Sequence, residues 1–128
     1  MPLLLLVEDH ADTRTMYAEF LQDIFEVSEA ADGEEALSCI RSRTPDLVIT
    51  DLSLPQIDGF ELVKRIRSDE ALAKIPVICL SGYSDDAHEQ RAMDAGADRV
   101  LQKPCLPDQL AEAAAILLRN RTSLGGAG

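Results

Sequence analysis

The chain has 128 residues, about one domain's length, and 46% of them are hydrophobic, enough to bury a core of ordinary size. Twelve basic residues stand against 23 acidic ones, a formal net charge of −11. That balance argues against a surface that neutralises nucleic-acid phosphates, and equally against one that docks on anionic lipid.

Along the chain, short apolar runs alternate with stretches of helical period. Leu3 to Val7 is five apolar residues, too short for a membrane span or a signal-peptide core, so the expected location is the cytoplasm. It reads instead as a strand. Ala11 to Gln22 follows as a helix, with Thr15, Ala18, Phe20 and Leu21 on one broad face and Asp12 as a candidate cap. Phe25 to Ala30 is a weaker strand signal, and Gly33 to Arg43 a helix carrying Ala36, Leu37 and Ile40 behind a cap at Asp32. Asp46 to Thr50 is a second strong strand. Asp58 to Asp69 is a helix with Phe60, Leu62, Val63 and Ile66 on its apolar side. Pro76 to Leu80 is the third strong strand, and Ser84 to Ala95 a helix that opens on Ser-Asp-Asp and stops at Gly96. Arg99 to Leu101 is a short strand, and Pro107 to Arg119 a last helix with proline in its first turn. The small residues from Thr122 to Gly128 read as a flexible tail, leaving 1–121 as one domain.

Continuous Leu, Val and Ile runs suit strands buried on both faces, as in a parallel sheet. Five strand-then-helix units with short connections predict an α/β fold, an open parallel sheet covered by helices on both sides. No repeat or linker suggests a second domain. Cys39, Cys79 and Cys105 are scattered and form no CxxC pair, so neither a disulfide framework nor a zinc site is expected.

In such a sheet, ligands bind at the carboxyl ends of the strands, near the point where the strand order reverses. The residues there are of complementary kinds. Glu8 and Asp9 follow the first strand, Asp51 ends the third, Ser81-Gly82 follows the fourth and Lys103-Pro104 the fifth. Three converging carboxylates repel one another unless a cation lies among them. A hard divalent ion with oxygen ligands answers that, and Mg²⁺ in particular keeps room for a phosphate oxygen. Each residue also has an ordinary alternative. Glu8 and Asp9 could cap the first helix, Lys103 could be one half of a structural ion pair, and Ser81 could be a turn residue. Together with a metal, however, the ammonium and the hydroxyl describe a phosphoryl-transfer site in which Asp51 is the nucleophile.

These pieces, in this order, closely resemble the receiver domain of bacterial response regulators. The resemblance runs from Leu3 to about Leu118. It is carried by Val7-Glu8-Asp9, by Asp51-Leu52-Ser53-Leu54-Pro55-Gln56-Ile57-Asp58-Gly59, by Ser81-Gly82, by Ala95-Gly96-Ala97-Asp98 and by Lys103-Pro104. It implies a five-stranded, flavodoxin-like (CheY-like) parallel sheet of order 2-1-3-4-5 and a cis peptide between Lys103 and Pro104. It further implies Mg²⁺ in the acidic pocket of Glu8 and Asp9, held by Asp9, Asp51 and the Ser53 carbonyl. Asp51 would then accept a phosphoryl group from a histidine kinase or phosphotransfer protein, with Ser81 and Lys103 touching the phosphate. No separate substrate is turned over, so the chain is not expected to be an enzyme in the usual sense. Output is expected through contacts with a downstream protein, or through a second phosphorelay step.

One position departs from the family pattern. Many members carry Tyr or Phe three residues before the lysine, where the ring turns inward on phosphorylation, and Val100 stands there instead. Tyr83, two residues after Ser81, is the aromatic residue near enough to compensate. Rival readings fit less well. A flavin-binding protein of this fold needs a Ser/Thr/Gly loop to cradle an anionic phosphate, where this chain has Glu8-Asp9-His10-Ala11-Asp12. Haloacid-dehalogenase-like phosphohydrolases place a second Asp two residues after the nucleophile, and that position is Ser53. A receiver degraded to a binding module is disfavoured because every catalytic residue type is present.

Overall fold

The computed structural model describes residues 1–83 and 85–127, with side chains as far as Asn120. Ten elements alternate: β1 (Leu3–Val7), α1 (Ala11–Leu21), β2 (Glu26–Ala30), α2 (Gly33–Ser42), β3 (Leu47–Asp51), α3 (Gly59–Ser68), β4 (Val77–Ser81), α4 (Asp86–Ala95), β5 (Arg99–Gln102) and α5 (Pro107–Ala127). The sheet order is β2-β1-β3-β4-β5 and every pairing is parallel. The expected doubly wound architecture is therefore present.

The strength of each strand signal follows from its place in the sheet. Every residue of β1, β3 and β4 is buried, because helices cover both faces of the three central strands. Burying one Leu or Ile side chain stabilises by roughly 1.5–3 kcal/mol, so these strands anchor the fold. The edge strands β2 and β5 are only partly covered and tolerate polar residues. Side chains alternate between two layers. Leu5, Val7, Val48, Val77 and Cys79 pack with α2, α3 and α4. Leu4, Leu6, Leu47, Ile49, Ile78 and Leu80 pack with α1 and α5.

Three helices begin alike. Asp32, Asp58 and Asp85 each accept a backbone N–H three residues on, from Glu35, Glu61 and His88, at 2.8, 2.9 and 2.8 Å. Gly96 ends α4 with φ +119°, a conformation that favours glycine.

The structure departs from the sequence-based expectations at several points. Strands β3, β4 and β5 each end one residue beyond their apolar runs, on Asp51, Ser81 and Gln102, because the ladder continues into the pairs Asp51–Leu80 and Ser81–Gln102. The buried face of α1 is Tyr17, Ala18 and Leu21, whereas Thr15 and Phe20 are exposed. Asp12 lies in the first turn of α1, and the cap position is His10, which makes no side-chain cap bond. Helix α5 runs through Ala127. Ser84 and Gly128 lie outside the described residues. No helix among the described residues is long and apolar enough to cross a membrane.

Candidate functional site

Strand order reverses between β1 and β3, and their carboxyl ends lie side by side, Val7 pairing with Thr50. Glu8 continues straight from β1, its N–H donating to the Ala30 carbonyl of β2 at 3.0 Å. Asp51 is the last residue of β3, and its Oδ1 accepts the Ser53 N–H at 3.0 Å. Gly59 lets α3 begin directly against this strand end. A Cβ there would lie 2.3 Å from the Asp51 carbonyl oxygen. Gln56, with φ 64°, turns the intervening loop back to allow that approach.

Two carboxylates are withdrawn from water: Glu8 is 0% exposed and Asp51 3%. Lys103 serves both, its Nζ donating to Glu8 Oε1 at 3.0 Å and pairing closely with Asp51 Oδ2. The other Glu8 oxygen accepts the His10 N–H at 3.1 Å, so that carboxylate is held from both ends. Lys103 is placed by β5, whose ladder extends into a 2.8 Å bond from Lys103 N–H to the Ser81 carbonyl. The Lys103–Pro104 peptide is cis. Lys103 thus meets Asp51 and Glu8 although β5 lies two strands from β3 and three from β1 in the sheet.

Burial pushes the Glu8 carboxyl above its ordinary range. The His10 N–H and Lys103 pull it back in part, while Asp9 and Asp51 push it further up. For Lys103, burial acts to lower the ammonium's pKa, but the hydrogen bonds and charges of Asp51 and Glu8 outweigh it and the net shift is upward. Lys103 is therefore a firm cation at neutral pH.

Asp9 stands at the rim, its side chain 34% exposed. Oxygens of Glu8 and Asp9 and a ring nitrogen of His10 lie within 4.8 Å of one another. Three carboxylates against one ammonium leave the site two negative charges in excess, all from hard oxygen donors. The donor set thus fits a divalent, oxygen-preferring ion such as Mg²⁺.

The switch residues are arranged less simply. Ser81 is buried, and its hydroxyl donates to the Tyr83 carbonyl at 3.2 Å while accepting the Tyr83 N–H at 3.0 Å. The hydroxyl is thus engaged by its own loop rather than by Asp51. Gly82 is exposed and open on its Cβ side. Tyr83 is exposed, but its ring stacks on His88 of α4, centroids 3.8 Å apart, and its hydroxyl comes within 3.4 Å of Ser53 Oγ. Val100 is partly buried against the layer of α2, α3 and α4. Pro104 is exposed. Sequence reasoning missed two neighbours of the site. One is His10, beside the acidic pair. The other is Tyr17, whose place on the buried face is signalled by its spacing with Ala18 and Leu21.

Comparison with known proteins agrees with this geometry. The family profile for the response regulator receiver domain matches residues 4–115. The gliding motility regulatory protein of Myxococcus xanthus is 41% identical over 100 residues, which is 77% of this chain and 13% of that protein. Hybrid signal transduction histidine kinase D of Dictyostelium discoideum is 33% identical over 109 residues, 85% of this chain and 7% of that one. The chain therefore spans a small part of these longer relatives. Among solved structures, a putative response regulator from Chloroflexus aurantiacus superposes with a TM-score of 0.88 at 34% identity, covering 92% of this chain and 98% of that one. The chemotaxis protein CheY4 of Vibrio cholerae gives 0.86 at 32% identity, covering 91% and 98%. Profile match, sheet order and the meeting of Glu8, Asp51 and Lys103 lead to one conclusion: the chain belongs to the response regulator receiver domain family of two-component signalling.

Proposed function

We propose that this receiver takes a phosphoryl group on Asp51 from a histidine kinase or phosphotransfer protein, with Mg²⁺ held by Asp9, Asp51 and the Ser53 carbonyl beside Glu8. The observation that carries the reading is the Lys103 ammonium bridging two carboxylates, Glu8 and Asp51, that are both withdrawn from water.

In the transfer, a carboxylate oxygen of Asp51 attacks phosphorus and an acyl phosphate bond forms. The bond from phosphorus to the donor's imidazole nitrogen breaks, and its electron pair leaves with the imidazole. Mg²⁺, when bound, offsets charge on the carboxylates and on the phosphoryl oxygens. Lys103 moves its interaction from the carboxylate of Asp51 to a phosphoryl oxygen, steadied throughout by Glu8. Ser81 donates a hydrogen bond to another phosphoryl oxygen, releasing the Tyr83 carbonyl. The chain acts on its own aspartate and turns over no separate substrate. Its product is an altered protein surface, read in the cytoplasm by a downstream protein.

Incubation with Mg²⁺ and acetyl phosphate should add one phosphoryl group by intact mass, and hydroxylamine should remove it, as expected of an acyl phosphate. Asp51→Asn should not be labelled. Undiminished labelling of that variant would place the acceptor elsewhere.

A further inference from the structure

Tyr17 points into the layer between the sheet and helices α1 and α5, 3% exposed. Its ring is one apolar contact among many there. Its hydroxyl does something more specific, donating at 2.7 Å to the backbone carbonyl of Cys105, 88 residues away. A buried phenol must find an acceptor, but a ring without the oxygen would fill the same space and need none.

The acceptor lies on the turn that carries Lys103. On its amino side, Lys103 is tied to β4 through the Ser81 carbonyl. On its carboxyl side, the next fixed point is the Cys105 carbonyl, tied to α1 through Tyr17. The segment that delivers the ammonium to Asp51 is thus pinned at both ends, by a backbone bond and by one side chain. Burial, first of all, raises the pKa of Tyr17, so the phenol stays protonated and remains a donor.

We infer that Tyr17 is a positioning residue for Lys103: its bond to the Cys105 carbonyl sets where the ammonium sits relative to Asp51, and so how fast Asp51 is phosphorylated. The inference rests on the phosphoacceptor reading above. A misplacement of about 1 Å in a reacting group can cost ~100-fold in rate. Loss of one tether should allow less than that, about tenfold.

A double-mutant cycle tests it. Rates of labelling by acetyl phosphate at saturating Mg²⁺ are compared for the unmodified chain, Tyr17→Phe, Lys103→Ala and the pair. Tyr17→Phe should be slower by about tenfold, yet should cause no further loss once Lys103 is gone, because its effect passes through the ammonium. Equal losses in both backgrounds would show a general structural role and overturn the inference. A Tyr17→Phe rate equal to that of the unmodified chain, with Lys103→Ala slow, would overturn the inference alone. A Lys103→Ala rate equal to that of the unmodified chain would take Lys103 out of the transfer and overturn the inference, whereas undiminished labelling of Asp51→Asn would overturn the phosphoacceptor reading and the inference with it. Should Lys103→Ala fail to fold, Lys103→Arg serves as the background. It keeps the charge but changes the reach. Affinity for fluoroberyllate, a phosphate mimic, gives a second reading and should fall in Tyr17→Phe.

Discussion

Lys103 offsets charge on the buried carboxylates while Asp9 adds a further one at the rim, and their different exposure gives them different tasks. Lys103 lies within the cluster and neutralises two buried oxygens that would otherwise lack a cation. Removing one member of such a buried pair typically costs about 3–5 kcal/mol, and at 27% exposure Lys103 belongs toward the low end. Asp9, at the rim, has its lone pairs available to a metal without first being stripped from a lysine. Asp9→Ala should therefore weaken Mg²⁺ binding, measured by titration calorimetry, by at least the ~10-fold typical of losing a supporting group. The same change removes like-charge repulsion beside Glu8, so the metal-free protein should unfold at a higher urea concentration than before. An unchanged Mg²⁺ affinity would show that Asp9 is not a ligand.

At the scale of single elements, two contacts hold helices against the site. The start of α3 fits beneath Asp51 only because position 59 has no side chain. An added Cβ would sit 2.3 Å from the Asp51 carbonyl oxygen and 2.6 Å from Leu52 Cα, both rigid backbone. Gly59→Ala should cost at least the ~1–3 kcal/mol of overpacking and slow phosphorylation by displacing Asp51. Urea melts at unaltered stability would contradict this. The start of α4 is held by Asp85. Its carboxyl is kept below the usual carboxylate range, first by the His88 backbone N–H and then by the His88 ring. A depressed folded pKa gives stability that is present above the ordinary value and lost as pH falls through the lowered one. The His88 amide should accordingly lose hydrogen-exchange protection on acidification. In Asp85→Ala it should be poorly protected at the outset and show little further change. A pH-independent profile in the unmodified chain would disprove the dependence.

Across the whole molecule, legibility in the sequence followed burial. Strands covered on both faces, such as Leu3–Val7, announce themselves as unbroken apolar runs, and the strand-helix alternation then constrains the sheet order. The meeting of Glu8, Asp51 and Lys103 was legible because each stands at or just after the carboxyl end of a strand. The orientation of single side chains was not legible. Nothing in Leu80-Ser81-Gly82-Tyr83 reveals that the Ser81 hydroxyl is bound to its own loop, and the helical pattern of α1 was drawn through Phe20, missing the hydrogen-bonded Tyr17. Those orientations decide how a signal spreads. If Asp51 is phosphorylated as proposed, Ser81 can donate to the phosphate only by giving up the Tyr83 carbonyl, which loosens the loop whose Tyr83 ring stacks on His88. Val100, packed against its layer, has no polar tip or large ring to relocate. A two-state change requires contacts that differ between the states, and among the described residues of the site Ser81 and Lys103 are the ones placed to supply them. The shift should therefore be small and local, confined mainly to the Ser81–Asp86 loop and the first turn of α4, until a bound partner completes it. Backbone NMR shifts with and without fluoroberyllate measure this directly. Large changes centred on Val100 and α5, with the Ser81 loop silent, would refute it.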